Sequence, residues 1–307
     1  MSIVVVGSVA YDTVETQHGR VVEALGGSAS FFAVAARFFA PVSIVAVVGS
    51  DFKREFRRLL ADRNIDLRGL EERAGKTFRW HGRYHEDMNV RDTINLALNV
   101  FDGFMPDLLP DLRRCDYLFL ANISPELQER VLSQVTSPKL VACDTMNHWI
   151  ESRRADLLRI LPRLDIITLN DEEARLLAGE HNLVKAGRGV IKMGPKVVLI
   201  KRGEYGVLQF SRDRMFAIPA YPLEEVLDPT GAGDTFAGGL MGYLARNGRF
   251  DESSLRTAVV YGSVLASFVV ERFSLDRLLA LTWEDIEGRY RAFIELTDSH
   301  HGRWTSQ

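Results

Sequence analysis

No stretch of this chain approaches the roughly 18 consecutive apolar residues that a membrane-crossing helix requires. Cysteine is scarce. Cys115 and Cys143 are the two present, both in apolar runs and without metal-type spacing. That excludes a disulfide scaffold and a cysteine-based zinc site, and suggests structural thiols in a reducing compartment. There is no basic excess either: 38 Lys and Arg stand against 41 Asp and Glu, for a net charge of -3. The balance supplies no electrostatic reason to expect nucleic acid or an anionic membrane as partner, but leaves room for a small anion held locally. Internal repeats and low-complexity segments are lacking. The opening MSIVVVG has neither the basic flank nor the cleavage site of a signal peptide and reads as a first buried strand. A cytoplasmic protein is the expectation.

What is present is an ordinary globular balance over 307 residues, 46% apolar and 26% charged, enough for a large core. Short β-branched runs at 3–6, 42–48, 117–120, 140–143, 166–169 and 197–200 predict buried strands. Helical patterns lie between them at 28–39, 52–63, 125–135, 152–160 and 171–177. The alternation predicts an α/β fold: a doubly wound, mostly parallel sheet with helices on both faces. The whole chain, 1–307, reads as a single domain. Two segments, about 12–25 and 77–98, alternate polar and apolar residues across turns at His18-Gly19 and near Met88-Asn89. They predict antiparallel strands inserted as a small β lid. After Met215 the pattern turns helical, at 234–246, 252–271 and 283–296.

The chemistry concentrates in DPTGAGDTFAGG, residues 228–239. Pro229 ends a strand. Gly231 and Gly233 open backbone angles denied to other residues, and a helix follows at Asp234 with small residues behind it. Unpaired N–H groups and the positive end of the helix dipole would make an anion seat there. A carboxylate beside that seat has two readings. Asp234 caps the helix, as aspartate commonly does, or it takes a proton from a hydroxyl that attacks a cradled phosphoryl group.

The run resembles the signature of the ribokinase-like (PfkB-type) kinases of sugars and nucleosides, and four more elements follow the family's order. They are Gly7-Ser8 with Asp12, the double glycine Gly26-Gly27, Asn170-Asp171-Glu172-Glu173, and Lys201-Arg202-Gly203-Glu204-Tyr205-Gly206. The resemblance implies an ATP-dependent phosphotransferase with Mg²⁺, acting on a small alcohol. Asp234 would be the base and the amides of Gly231, Ala232 and Gly233 the anion hole. Asn170, Lys201, Gly203, Gly206 and Asp228 would serve the nucleotide. Glu173 would position Mg²⁺, through water. Asp12, Gly26, Gly27 and Phe31 would line the acceptor pocket. Asp144 and Asn147 resemble the family's Asp-x-x-Asn stretch near the transferred phosphate. Plainer readings stand beside these. Asn170 and Glu173 match a capping box, and Gly203 to Gly206 a tight turn between strands.

The chain also departs from the family's ribokinases. Ala10 stands where they carry Asn, and Ser28-Ala29-Ser30-Phe31 replaces Lys-Gly-Ala-Asn. The reduced polarity argues against free ribose. An aromatic wall from Trp80 or Phe31 would suit a nucleoside base or another flat group, or an inositol-like ring, although Phe31 and Phe32 also read as helix core. On the lid, Arg79, His81, Arg83 and His85 share one strand face, with Trp80, Gly82 and Tyr84 opposite. The basic face would fit a phosphate already on the substrate. The two histidines lack the third ligand a metal needs. The segment 187–192, GRGVIK, lacks the full P-loop pattern and reads as a helix-to-strand connection. The family's potassium site usually uses a later glycine-containing loop, which VERFSLDRL at 270–278 does not supply, so K⁺ dependence is left open. Exposed lid strands favour edge pairing between subunits, so a homodimer through the lid and a monomer both stay open. Alternatives to a sugar or nucleoside kinase are a sugar-phosphate or inositol kinase, a hydroxymethylpyrimidine- or pyridoxal-type kinase, and a catalytically silent ligand sensor on the same fold.

Overall fold

The strands of the main sheet alternate two apolar faces, and each face builds its own core. In the computed structural model, which describes residues 1–298, the strands are β1 (Ile3–Val6), β2 (Ala10–Thr16), β3 (Gly19–Gly26), β4 (Val42–Gly49), β5 (Ile65–Arg73), β6 (Arg79–Tyr84), β7 (Arg91–Ala97), β8 (Tyr117–Leu120), β9 (Leu140–Asp144), β10 (Ile166–Asn170), β11 (Val197–Lys201), β12 (Val207–Ser211) and β13 (Met215–Ile218). The helices are α1 (Ser28–Ala36), α2 (Arg54–Ala61), α3 (Pro125–Gln134), α4 (Asn147–Ser152), α5 (Arg154–Ile160), α6 (Asp171–Ala178), α7 (Leu183–Ile191), α8 (Ala232–Asn247), α9 (Glu252–Val269), α10 (Asp276–Ala280) and α11 (Trp283–Thr297). Ile3 and Val5 point into a core shared with α1, α2 and α8 to α11. Val4 and Val6 point into one shared with α3 to α7. This two-sided burial is why the strands read as unbroken apolar runs.

The main sheet runs β13-β12-β11-β10-β9-β8-β1-β4-β5. The strands from β11 to β5 are parallel, and β12 and β13 close one edge antiparallel. From β1 the chain moves outward to β4 and β5, then returns to lay β8 on the other side of β1. Strand order reverses there, and such a switch point opens a crevice at the carboxyl ends of the strands. The expected doubly wound sheet with helices on both faces is what forms.

The lid is a separate four-stranded sheet, β3-β2-β6-β7. Its hairpins are antiparallel as expected, but β2 and β6 pair in parallel. The two hairpins come from distant segments, and no local signal sets their relative direction. Other elements also differ from expectation. β5 was not foreseen: IDLRGLEER is charged because it is the sheet's exposed edge. Met215–Ile218 is a strand, β13, not the start of a helical region. The segment at 187–192 is not a connection but lies mostly inside α7. The Asn182 side chain accepts from the Val184 and Lys185 N–H groups at its start, and Phe210 occupies the space beside Gly187. The helix expected at 152–160 is α5, and a short helix that was not foreseen, α4, precedes it across Arg153. Among the described residues no helix is long and apolar enough to cross a membrane.

Candidate active site

The parallel strands deliver polar residues to one rim. Asp144 ends β9, Asn170 ends β10 and Lys201 ends β11. Sheet register sets Asn170 beside Lys201, and Thr168 beside Asp144. The Lys201 ammonium donates to both Asp144 oxygens, at 3.2 and 3.3 Å. Burial pulls the Lys201 pKa down, but Asp144, Glu173 and Asp234 together hold it above the usual lysine value. Lys201 is thus a charged member of a carboxylate cluster at the end of β11.

Asn170 and Glu173 form a full capping box at the start of α6. Glu173 Oε2 accepts from the Asn170 N–H at 2.6 Å, and Asn170 Oδ1 accepts from the Glu173 N–H at 2.7 Å. Burial raises the Glu173 pKa to about 7, and the charge of Asp144 raises it further against Lys201 and Arg91. Next to Asp144, the Thr145 hydroxyl and the Asn147 side-chain oxygen Oδ1 are buried and, among the described residues, have no hydrogen-bond partner.

The anion loop enters α8 through Gly231, whose φ of 74° is left-handed. A Cβ there would run into the ring of Phe31. No side chain caps the helix. Among the described residues the Gly231 and Gly233 N–H groups have no partner, but the Ala232 N–H donates to the Pro229 carbonyl at 3.2 Å. The seat is therefore narrower than the three amides expected, because Ala232 closes the turn. Asp234 stands one residue beyond, half-buried. Burial lifts its carboxyl to about 7, Asp144 lifts it as well, and Lys201 and Arg91 oppose. A Cβ on Gly233 would approach Lys201 Nζ to 3.0 Å, so lysine and loop share one space.

Asp12 reaches the same cleft from the lid. Its carboxylate lies against Gly26, and Oδ2 accepts from the Gly27 N–H at 3.4 Å. Burial raises Asp12 to about 7, with Asp228 and Asp234 adding to the effect. Asp12 with Gly26 and Gly27, and Lys201 with Glu173, thus lie within electrostatic reach of Asp234 at the start of α8, and Asn170 is beside Lys201 in the sheet.

Three expected site residues fall elsewhere. Phe31 is 1% exposed with its ring beneath Gly231, so it supports the anion loop from inside the core instead of walling a pocket. Asp228 is 1% exposed, and its two oxygens accept from the Thr230 and Ser274 N–H groups, both at 2.9 Å. It ties the loop to the fold and is closed to a nucleotide. Gly206 serves the tight turn after β11: its N–H donates to the Gly203 carbonyl, and backbone of the Ile218–Ala220 segment fills the space beside it.

The lid's Arg/His face is already matched by acids. Glu15 meets His81 at 3.0 Å, Arg83 at 2.8 Å and Arg20 at 3.3 Å, while Arg79 meets Glu23 and Asp51. That pairing weakens the case for a substrate phosphate on this face. Among the described residues no cluster of three His, Cys, Asp or Glu could hold a metal. On the opposite face, the Tyr84 hydroxyl accepts from Thr230 Oγ1 at 3.2 Å. Arg91, passed over in the sequence, sits in the alternating β7 pattern opposite Tyr84. Its register on the cleft face became readable only once the pairing of β6 and β7 was known.

Comparison with known proteins now bears on this geometry. A family model described as pfkB family carbohydrate kinase matches residues 1–279. A cytidine kinase of Thermococcus kodakarensis is 33% identical over 259 residues, covering 82% of this chain and 91% of its own. An E. coli protein assigned as ribokinase II, solved with ATP and Mg²⁺, superposes with a TM-score of 0.78 at 20% identity, covering 96% of this chain and 99% of its own. The nucleoside kinase of Methanocaldococcus jannaschii superposes with a TM-score of 0.74 at 20% identity, covering 95% and 98%.

Proposed function

The chain belongs to the pfkB family of carbohydrate kinases, and on that premise we propose that it moves the γ-phosphoryl group of ATP to a hydroxyl of a nucleoside or sugar. The family makes it a phosphotransferase with an alcohol acceptor. The observation that carries the finer reading is the meeting of Asp234 with the open Gly231 and Gly233 amides at the start of α8. Asp234 takes the proton of the acceptor hydroxyl. The oxygen attacks the γ-phosphorus, and the bond to the ADP oxygen breaks. Negative charge on the moving group is received by the two amides and the positive end of α8. Asp12 holds the acceptor by accepting from another hydroxyl, and rejects molecules that leave it unpaired.

The residues present fit Mg²⁺ in an outer role. Glu173 has one oxygen engaged in the capping box and one available, and its ionisation is resisted by burial and by Asp144. A nearby divalent cation would favour its charged form. With no three-ligand cluster among the described residues, Glu173 would hold the ion through water, where it would offset phosphate charge.

For the acceptor, the relationship to the cytidine kinase and the position of Trp80 on the lid's inner strand face favour a nucleoside. The edge strand β7 leaves Ile94 47% and Leu96 54% exposed, which supports a second copy of this chain as partner through the lid. The deciding experiment is ADP release with Mg-ATP and a panel of nucleosides, sugars and inositols, with mass identification of the product. A phosphorylated nucleoside is expected. Ligand binding without any phosphorylated product would favour a silent sensor.

A further inference from the structure

The β6–β7 hairpin touches both halves of the site. At the end of β6, just before the turn, the Tyr84 hydroxyl meets Thr230, immediately before the glycine loop. At its tip Asn89 lies against Gly203, so that a Cβ on that glycine would strike the Asn89 side chain. Arg91 follows two residues later. Its guanidinium lies over the Trp80 ring, 5.6 Å from the centroid, and meets the Tyr84 hydroxyl. It forms no ion pair among the described residues. Yet its charge is felt by Asp12 at the acceptor end, Asp234 at the transfer point and Glu173 at the donor end. Lys201, the other cation there, is engaged by Asp144. A guanidinium within electrostatic reach of three carboxylates, and in an ion pair with none among the described residues, is poised for a ligand anion that arrives between them.

We infer that Arg91 is a phosphoryl-binding residue, delivered by the lid to the γ-phosphate of the donor. The inference rests on the kinase reading above. The γ-phosphoryl group belongs in the space that those three carboxylates border. An arginine fork matches its oxygens, and charge that grows on it during transfer strengthens the contact. Because Arg91 rides on the same hairpin as Tyr84 and Asn89, the contact forms only when the lid lies across both loops. The hairpin would then distinguish ATP from ADP before an acceptor reacts.

The test compares Arg91→Ala, Arg91→Gln and Arg91→Lys with the parent, using calorimetric titration with Mg-ATP and with Mg-ADP. Arg91 is exposed, and matching thermal melts would verify folding. For Ala and Gln, ATP affinity should fall about 10- to 100-fold, the range of a charge-assisted hydrogen bond, while ADP affinity stays within about twofold. Lys should recover part of the loss, and free guanidinium should restore turnover in the Ala variant. Equal loss for ATP and ADP, or no loss for either, would overturn the inference. So would a rise in acceptor KM alone, which would assign the guanidinium to an anionic acceptor. A parent protein with no preference for ATP over ADP would also overturn it. Nucleotide titration needs no turnover, so failure of the base assignment and failure of this inference appear in separate measurements.

Discussion

Asp234 occupies a place where a carboxyl resists ionisation: burial comes first, then the charge of Asp144, and its pKa rises to about 7. A base must be ionised to act, so turnover should climb as pH passes about 7 and fall below it, read from kcat/KM against pH. The stability trend has the opposite direction. Between about pH 4, where an unfolded aspartate titrates, and about 7, the folded chain binds a proton that the unfolded chain does not. Stability therefore falls as pH rises through that window, and Asp12 and Glu173, also near 7, add to the slope. Asp234→Asn should lower kcat by roughly 10²- to 10⁴-fold while sparing ATP affinity. It should also gain melting temperature relative to the parent as pH is raised from about 5 to 8. Unchanged turnover in this variant would remove Asp234 from the role of base.

At the scale of elements, the anion loop depends on what lies beneath it. Gly231 is left-handed and sits against Phe31, so Gly231→Ala meets both a backbone penalty and a clash. We expect a loss of about 1 to 3 kcal/mol, and a fall in turnover larger than the fall in melting temperature would suggest. Circular dichroism melts paired with ADP-release rates check this, and parental activity would argue against the loop as phosphate seat. The turn into α8 was legible because proline and two glycines ahead of small residues fit a strand end followed by a helix start, while the choice between Asp234 as cap and as base rested on the family resemblance. The capping box of Asn170 and Glu173 was legible from spacing alone. Phe31 stayed open between pocket wall and helix core because an aromatic after a double glycine looks the same whether it faces a pocket or a neighbouring helix. The Ala232 bond to Pro229 was equally hidden, since turn closure depends on backbone angles that proline and glycine only limit. β5 was missed because an edge strand carries charge.

For the whole molecule, the two-sided core and the parallel sheet followed from the rhythm of apolar runs. The direction of β2 against β6 joins residues as far apart as Tyr11 and Arg79 and is set by how the lid packs over the body, which periodicity does not encode. The lid's exposed edge gives the corresponding prediction. Sedimentation should return about twice the mass of one chain, and Ile94→Lys on β7 should return the mass of a single chain, by charging an otherwise apolar edge. A parent that sediments as one chain would end the dimer proposal. Phe31, by contrast, links two tasks that look separate in the chain. It belongs to α1, which begins at the double glycine proposed to meet the acceptor, and it underlies Gly231 in the proposed phosphate loop. Engineering that diversifies positions 28–32 to retarget the enzyme would consequently disturb the phosphate cradle along with the recognised alcohol. Libraries aimed at lid positions other than Tyr84, whose hydroxyl meets Thr230, would leave that cradle's foundation intact.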